Sequence, residues 1–127
     1  MNAGDTFYPV RPEVDKTHLH VVISVPELDP ENVVVVNIET LTGDSDLACV
    51  LKPQEHAKIS RDTAVDYRRA RRVSLAQLEA GIKNGAVELN DPMSQECLRR
   101  IQVGAVRSER TRVGIKEILR NQIDLPE

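Results

Sequence analysis

The stretch HLHVVISVP, residues 18–26, sets two imidazoles in alternation at the mouth of an apolar run. Side chains two apart in a strand point to the same side, so His18 and His20 share a face. The only other histidine is His56, in KPQEHAK, and these three rings carry most of the chain's acid–base capacity near neutral pH. Two readings stand side by side: a reactive face, or the wet end of a strand with one ring half-buried. Three imidazoles would also suit a metal ion. That would require His56 to fold onto the face of the other two, and the ligands lack the close pairing of structural zinc sites.

The densest cationic stretch is DYRRARRVS, residues 66–74. A guanidinium such as Arg69 or Arg71, beside Tyr67 and a carboxylate, can clamp a phosphate and stabilise charge during its transfer. The same arginines can instead lay their stems over apolar surface. Arg99, Arg100, Arg107, Arg110 and Arg112 fall around helical positions and read as a solvated face. Cys49 and Cys97 lack CxxC partners and make no disulfide framework, so they read as reduced, packed thiols. The chain contains no phosphate loop, dinucleotide fingerprint, HExxH or GxSxG.

The remaining composition narrows the class. A chain of 127 residues, 40% hydrophobic and 29% charged, is long enough to bury a core as one domain, 1–127. Phe7, Tyr8 and Tyr67 are the only Phe, Tyr or Trp residues, too few for serial stacking of bases. No basic-then-apolar leader opens the sequence, and no aliphatic run approaches a membrane span. The expectation is a cytoplasmic protein with no membrane partner and no cofactor. The net charge of −3 hides an asymmetry: the half after residue 60 carries thirteen Lys/Arg, eleven of them arginine, against ten Asp/Glu. Arginine-rich surfaces suit carboxylate or phosphate partners better than lysine-rich ones.

The elements that must position these residues read as strands first and helices last. GDTFYPV (4–10), LHVVISV (19–25) and VVVVNIETL (33–41) are extended, the last most strongly, since a β-branched run fits a pleat. RPEVDKT (11–17) reads as a polar loop. LACVL (47–51) is expected to pair with the valine strand, and KISRDTAVDY (58–67) to lie at an edge. Ser74 and Asn84-Gly85 bracket a helix, and Asp91-Pro92 reads as the start of a second. Beyond Ser108 the chain either continues that helix or begins another, with Gly104 and Gly114 as weak points. The expectation is a mainly β, α+β chain. A small, curved antiparallel barrel spans about residues 1–70 and a helical part about 74–121.

The order GDTFY, HLHVVIS, VVVVNIETL and AVDYRRAR resembles the PemK/MazF (Kid-like) toxin family over roughly residues 4–80. The resemblance implies a Src-homology-3-like barrel that dimerises, binds an antitoxin protein and cleaves RNA without a metal. In that chemistry an arginine and a threonine or other acid–base partner promote attack of the 2′-hydroxyl on the adjacent phosphate. Here His18 stands in place of the family's arginine and Glu39 in place of its threonine, with Thr40 one residue on. The implied function is a toxin-like, metal-independent endoribonuclease acting on single-stranded RNA. Its catalytic residues would be His18, Glu39 and His56, and its substrate-binding residues Arg69, Arg71 and Tyr67. Because two family residues are replaced, a non-catalytic module binding protein or nucleic acid on the same fold is the alternative. A C-terminal stripe of Leu98, Ile101, Ala105, Ile115, Ile118 and Leu119 leads to the expectation of a homodimer with a shared basic groove. The other outcome is a monomer whose helices cover their own sheet.

Overall fold

A computed structural model describes residues 1–10 and 18–126 of the chain. Its elements are β1 (Thr6–Pro9), β2 (His20–Val22), β3 (Asn32–Thr40), β4 (Val50–Leu51), a 3-10 turn (Pro53–Glu55), β5 (Thr63–Ser74), α1 (Leu75–Asn84), β6 (Val87–Asn90), α2 (Gln95–Arg107) and α3 (Val113–Gln122). The strands form one antiparallel sheet in the order β4-β5-β3-β2-β1-β6. The loop expected over 11–17 lies outside the described residues.

The valine run is continuous rather than alternating because β3 is covered on both sides, as buried central strands are. Val34, Val36 and Ile38 face a large core completed by Ile101 and Ala105 of α2 and Ile115 and Leu119 of α3. Val33 and Val35 face a smaller core with Phe7, Val22 and, from α1, Leu75 and Leu78. Each buried aliphatic side chain contributes about 1.5–3 kcal/mol, so both faces of this strand favour the same register.

The sheet is not a closed barrel. Closure would require β4 to pair with β6, but β4 pairs only with the start of β5, and β6 only with β1. Helices α2 and α3 cover the larger face instead, and the C-terminal apolar stripe is largely consumed there. The helices thus complete their own chain's core.

Other boundaries moved for identifiable reasons. LACVL supplies β4, which pairs with β5 rather than with the valine strand. KISRDTAVDY holds the start of β5, an interior strand that continues through the arginines to Ser74 because β3 offers partners along that length. The second helix starts at Ser94, whose side chain accepts the Cys97 N–H, and not at Asp91-Pro92. VELN, placed in no element by periodicity, is β6, added to β1. The first helix matches its signals: Ser74 accepts the Gln77 N–H, and Gly85 closes the helix at φ 85°.

Candidate functional site

Strand pairing brings a row of polar side chains onto the face of the sheet that also carries the smaller core. His20 lies opposite Asn37 on β3, and Asn37 opposite Asp66 on β5. The parity follows from the cores: Val65 and Tyr67 enter the larger one, so Asp66 between them points the other way. His20 stacks on its cross-strand neighbour Phe7, with ring centroids 5.1 Å apart. Its Nδ1–H donates to the His18 carbonyl at 2.7 Å, which makes Nε2 the basic nitrogen of the neutral ring.

Beside this row the pairing of β3 and β5 is irregular. β3 advances from Val35 to Asn37 while β5 runs from Arg71 to Asp66, so the segment between them arches out of the ladder. The arch carries the arginines. Arg71 Nη1 donates to Asn37 Oδ1 and to the Arg69 carbonyl, both at 3.1 Å. Arg69 Nε lies 3.2 Å from Asp66 Oδ2. Two guanidinium groups are thus held over the row by side chains of the row itself.

The ladder continues past β2 toward the chain mouth: the Ile38 N–H donates to the Leu19 carbonyl. By the same alternation His18 falls in register with Glu39, one row beyond His20 and Asn37, and Glu39 lies opposite Ala64. His18 is exposed and Glu39 half-buried. A groove of about 420 Å³ opens at this end of the sheet, bordered by His18, Glu39, Thr40, Lys58 and Arg61, with Leu19, Ile38 and Ile59 at its base.

Of the residues singled out from sequence, His18, Glu39, Arg69 and Arg71 therefore share one face in neighbouring rows. Two others lie elsewhere. His56 is buried, its Nε2–H donating to the Asp91 carbonyl at 2.6 Å and its Nδ1 accepting the Lys58 N–H at 3.0 Å. It ties the loop after β4 to the segment between β6 and α2 and does not converge with His18 and His20. No group of three His, Cys, Asp or Glu side chains suited to a metal occurs among the described residues. Tyr67 is 0% exposed, and its hydroxyl donates to the Ile101 carbonyl at 2.7 Å inside the larger core. Burial and the neighbouring Cys49 push its ionisation far above the ordinary tyrosine range. It offers no surface to a ligand.

Sequence reasoning passed over Asn37, Asp66, Lys58, Ser60 and Arg61. The signal for the first two was present: Asn37 breaks the apolar run VVVVNIE, and Asp66 sits between two core positions. The loop residues carry no comparable signal, because only the tertiary fold brings 58–61 beside His18.

A second ionic cluster lies between β4 and α2. Arg100 binds Glu55 through Nη1 and the Val50 carbonyl through Nη2 at 2.7 Å, while Cys97 Sγ lies 3.7 Å from Glu55. Burial pushes the Glu55 carboxyl up, but the Lys52 N–H and the Arg100 guanidinium outweigh it and leave it below the ordinary range. Both cysteines are free and buried, and burial raises the Cys49 thiol.

The fold and site define an α+β protein, mainly β, with a polar, arginine-bearing sheet face. No helix among the described residues is long and apolar enough to cross a membrane. No protein-family model matches the chain, and no curated protein matches it.

Proposed function

We propose that the chain is a metal-independent endoribonuclease of the toxin type, acting on single-stranded RNA. The observation that carries this reading is the gathering of an imidazole, a carboxylate and two guanidinium groups on one sheet face: His18, Glu39, Arg69 and Arg71. In the reaction one of the His18–Glu39 pair takes the proton of a ribose 2′-hydroxyl, and the 2′-oxygen attacks the adjacent phosphorus. The bond to the 5′-oxygen breaks, and the other member protonates that leaving oxygen. The products are a 2′,3′-cyclic phosphate and a 5′-hydroxyl. Arg71 and Arg69 stabilise the charge gathering on the phosphoryl oxygens. Their fork geometry suits a phosphate, and Asn37 and Asp66 hold them in place beforehand.

The resemblance of the segments GDTFY, HLHVVIS, VVVVNIETL and AVDYRRAR to those of PemK/MazF toxins supports the same reading, and an antitoxin partner and homodimer belong with it. Cleavage of single-stranded RNA by the purified protein in chelator is the test. His18→Ala is expected to lower the rate about 10²–10⁴-fold, the usual contribution of one acid–base group. Absence of cleavage on any RNA overturns the reading. The second reading is a binding module, favoured by the engagement of both arginines with protein acceptors. It predicts RNA binding without cleavage and no growth arrest on expression.

A further inference from the structure

The groove beside His18 has a built wall and a divided chemistry. The wall is the segment 58–61, held at several points: Ile59 N–H donates to the His56 carbonyl, Lys58 N–H to the His56 ring, and Leu41 N–H to the Asp62 carbonyl. Asp62 is in turn paired with Lys52 at 2.8 Å, so its carboxylate is neutralised by a partner other than Arg61. Leu19, Ile38 and Ile59, all members of the larger core, leave an apolar floor, and Tyr8 supplies an aromatic edge. At the rim stand Thr40, Ser60, Lys58 and Arg61. The Lys58 and Arg61 side chains make no ion pair, and the Thr40 and Ser60 hydroxyls no hydrogen bond, among the described residues.

An apolar base, neutral groups able both to donate and to accept, and two cations without an ion pair among the described residues match a ligand that joins a heterocycle to a phosphate. The volume of about 420 Å³ lies in the range of sites for small molecules. We propose that this groove is a subsite for one nucleotide. The base rests on Leu19, Ile38 and Ile59 against Tyr8, Thr40 and Ser60 read its edge, and Lys58 and Arg61 hold the phosphate. The choice of ligand rests on the ribonuclease reading; the groove would then bind the nucleotide flanking the cleaved bond and set base preference.

The experiment is titration of the four nucleoside monophosphates, the four nucleosides and inorganic phosphate into the full chain, followed by heteronuclear NMR. At least one nucleotide is expected to shift the amides of residues 58–61 and of Thr40, more tightly than either the matching nucleoside or phosphate. The double variant Lys58→Ala/Arg61→Ala should weaken that binding tenfold or more, since two charge-assisted contacts are lost. Ser60→Trp should block the groove while leaving the circular dichroism spectrum unchanged. Equal affinity for phosphate and nucleotide overturns the base site, and shifts confined to other residues overturn the subsite altogether. The two readings fail separately. Nucleotide binding in the groove without RNA cleavage sinks only the ribonuclease. Cleavage whose base preference survives both variants sinks only the subsite.

Discussion

Tyr67 and Gly104 form a close contact that decides whether Tyr67 is a core strut or a ligand residue. The phenol crosses from β5 to the backbone of α2, where its hydroxyl donates to the Ile101 carbonyl at 2.7 Å. Gly104 makes the approach feasible. A Cβ built there would overlap the Tyr67 hydroxyl, with Cζ at 3.0 Å and the Ala48 carbonyl oxygen at 3.2 Å. In an exposed helix, Gly→Ala is expected to stabilise by about 1 kcal/mol. Here the ring is fully buried and cannot swing aside, so overpacking costs about 1–3 kcal/mol, and loss of the hydroxyl bond adds about 1 kcal/mol. Gly104→Ala should therefore destabilise by a net of about 1–3 kcal/mol, despite its better helix propensity. For a chain of this size that lowers Tm by about 3–5 °C per kcal/mol. Tyr67→Phe alone should cost about 1 kcal/mol. Combined with Gly104→Ala it should cost less than the sum, because the hydroxyl that clashes has gone. Urea and thermal unfolding of the two single variants and the double variant measure the coupling. A Gly104→Ala protein as stable as the parent, or strict additivity, refutes the contact. RNA cleavage unchanged in Tyr67→Phe separates the strut from a substrate contact.

Arg71→Ala should slow RNA cleavage by about 10²-fold or more, as expected for loss of a charge-stabilising donor. Arg71→Lys should recover little of it, because a point charge cannot reproduce the fork that spans Asn37 and a phosphate; full recovery in a gel-based cleavage assay would refute that role. His56→Ala should cost about 1–2 kcal/mol by leaving the Lys58 N–H without its partner and the Asp91 carbonyl with the Thr6 hydroxyl alone, and calorimetry reads the fall in Tm. The Glu55 carboxyl titrates below its ordinary range in the folded chain. Its contribution is therefore complete above the unfolded-state value of about 4.3 and lost as pH falls through the lower folded value. Urea midpoints taken from about pH 5 to about pH 3 should drop more steeply in the parent than in Glu55→Gln. Equal slopes would show that the Arg100 contact does not stabilise the fold.

Much of the local structure was legible in the residues. The β-branched run specified β3, Ser74 and Gly85 specified the limits of α1, and the alternation of His18 and His20 specified a shared face. These are properties of neighbours along the chain, set by side-chain branching, capping hydrogen bonds and the two-residue pleat. What the tertiary structure decided was pairing. No local rule determines that β4 joins β5, that VELN extends β1, or that α2 and α3 cover a sheet that would otherwise be expected to close. The same holds for the candidate site. Asn37 meets His20, Asp66 and Arg71 only through cross-strand register and the arch in β5, and Lys58 and Arg61 reach the groove only because His56 secures their loop. Tyr67, adjacent in sequence to the arginines, alternates into the opposite face, where burial in the larger core outweighs any pull toward solvent.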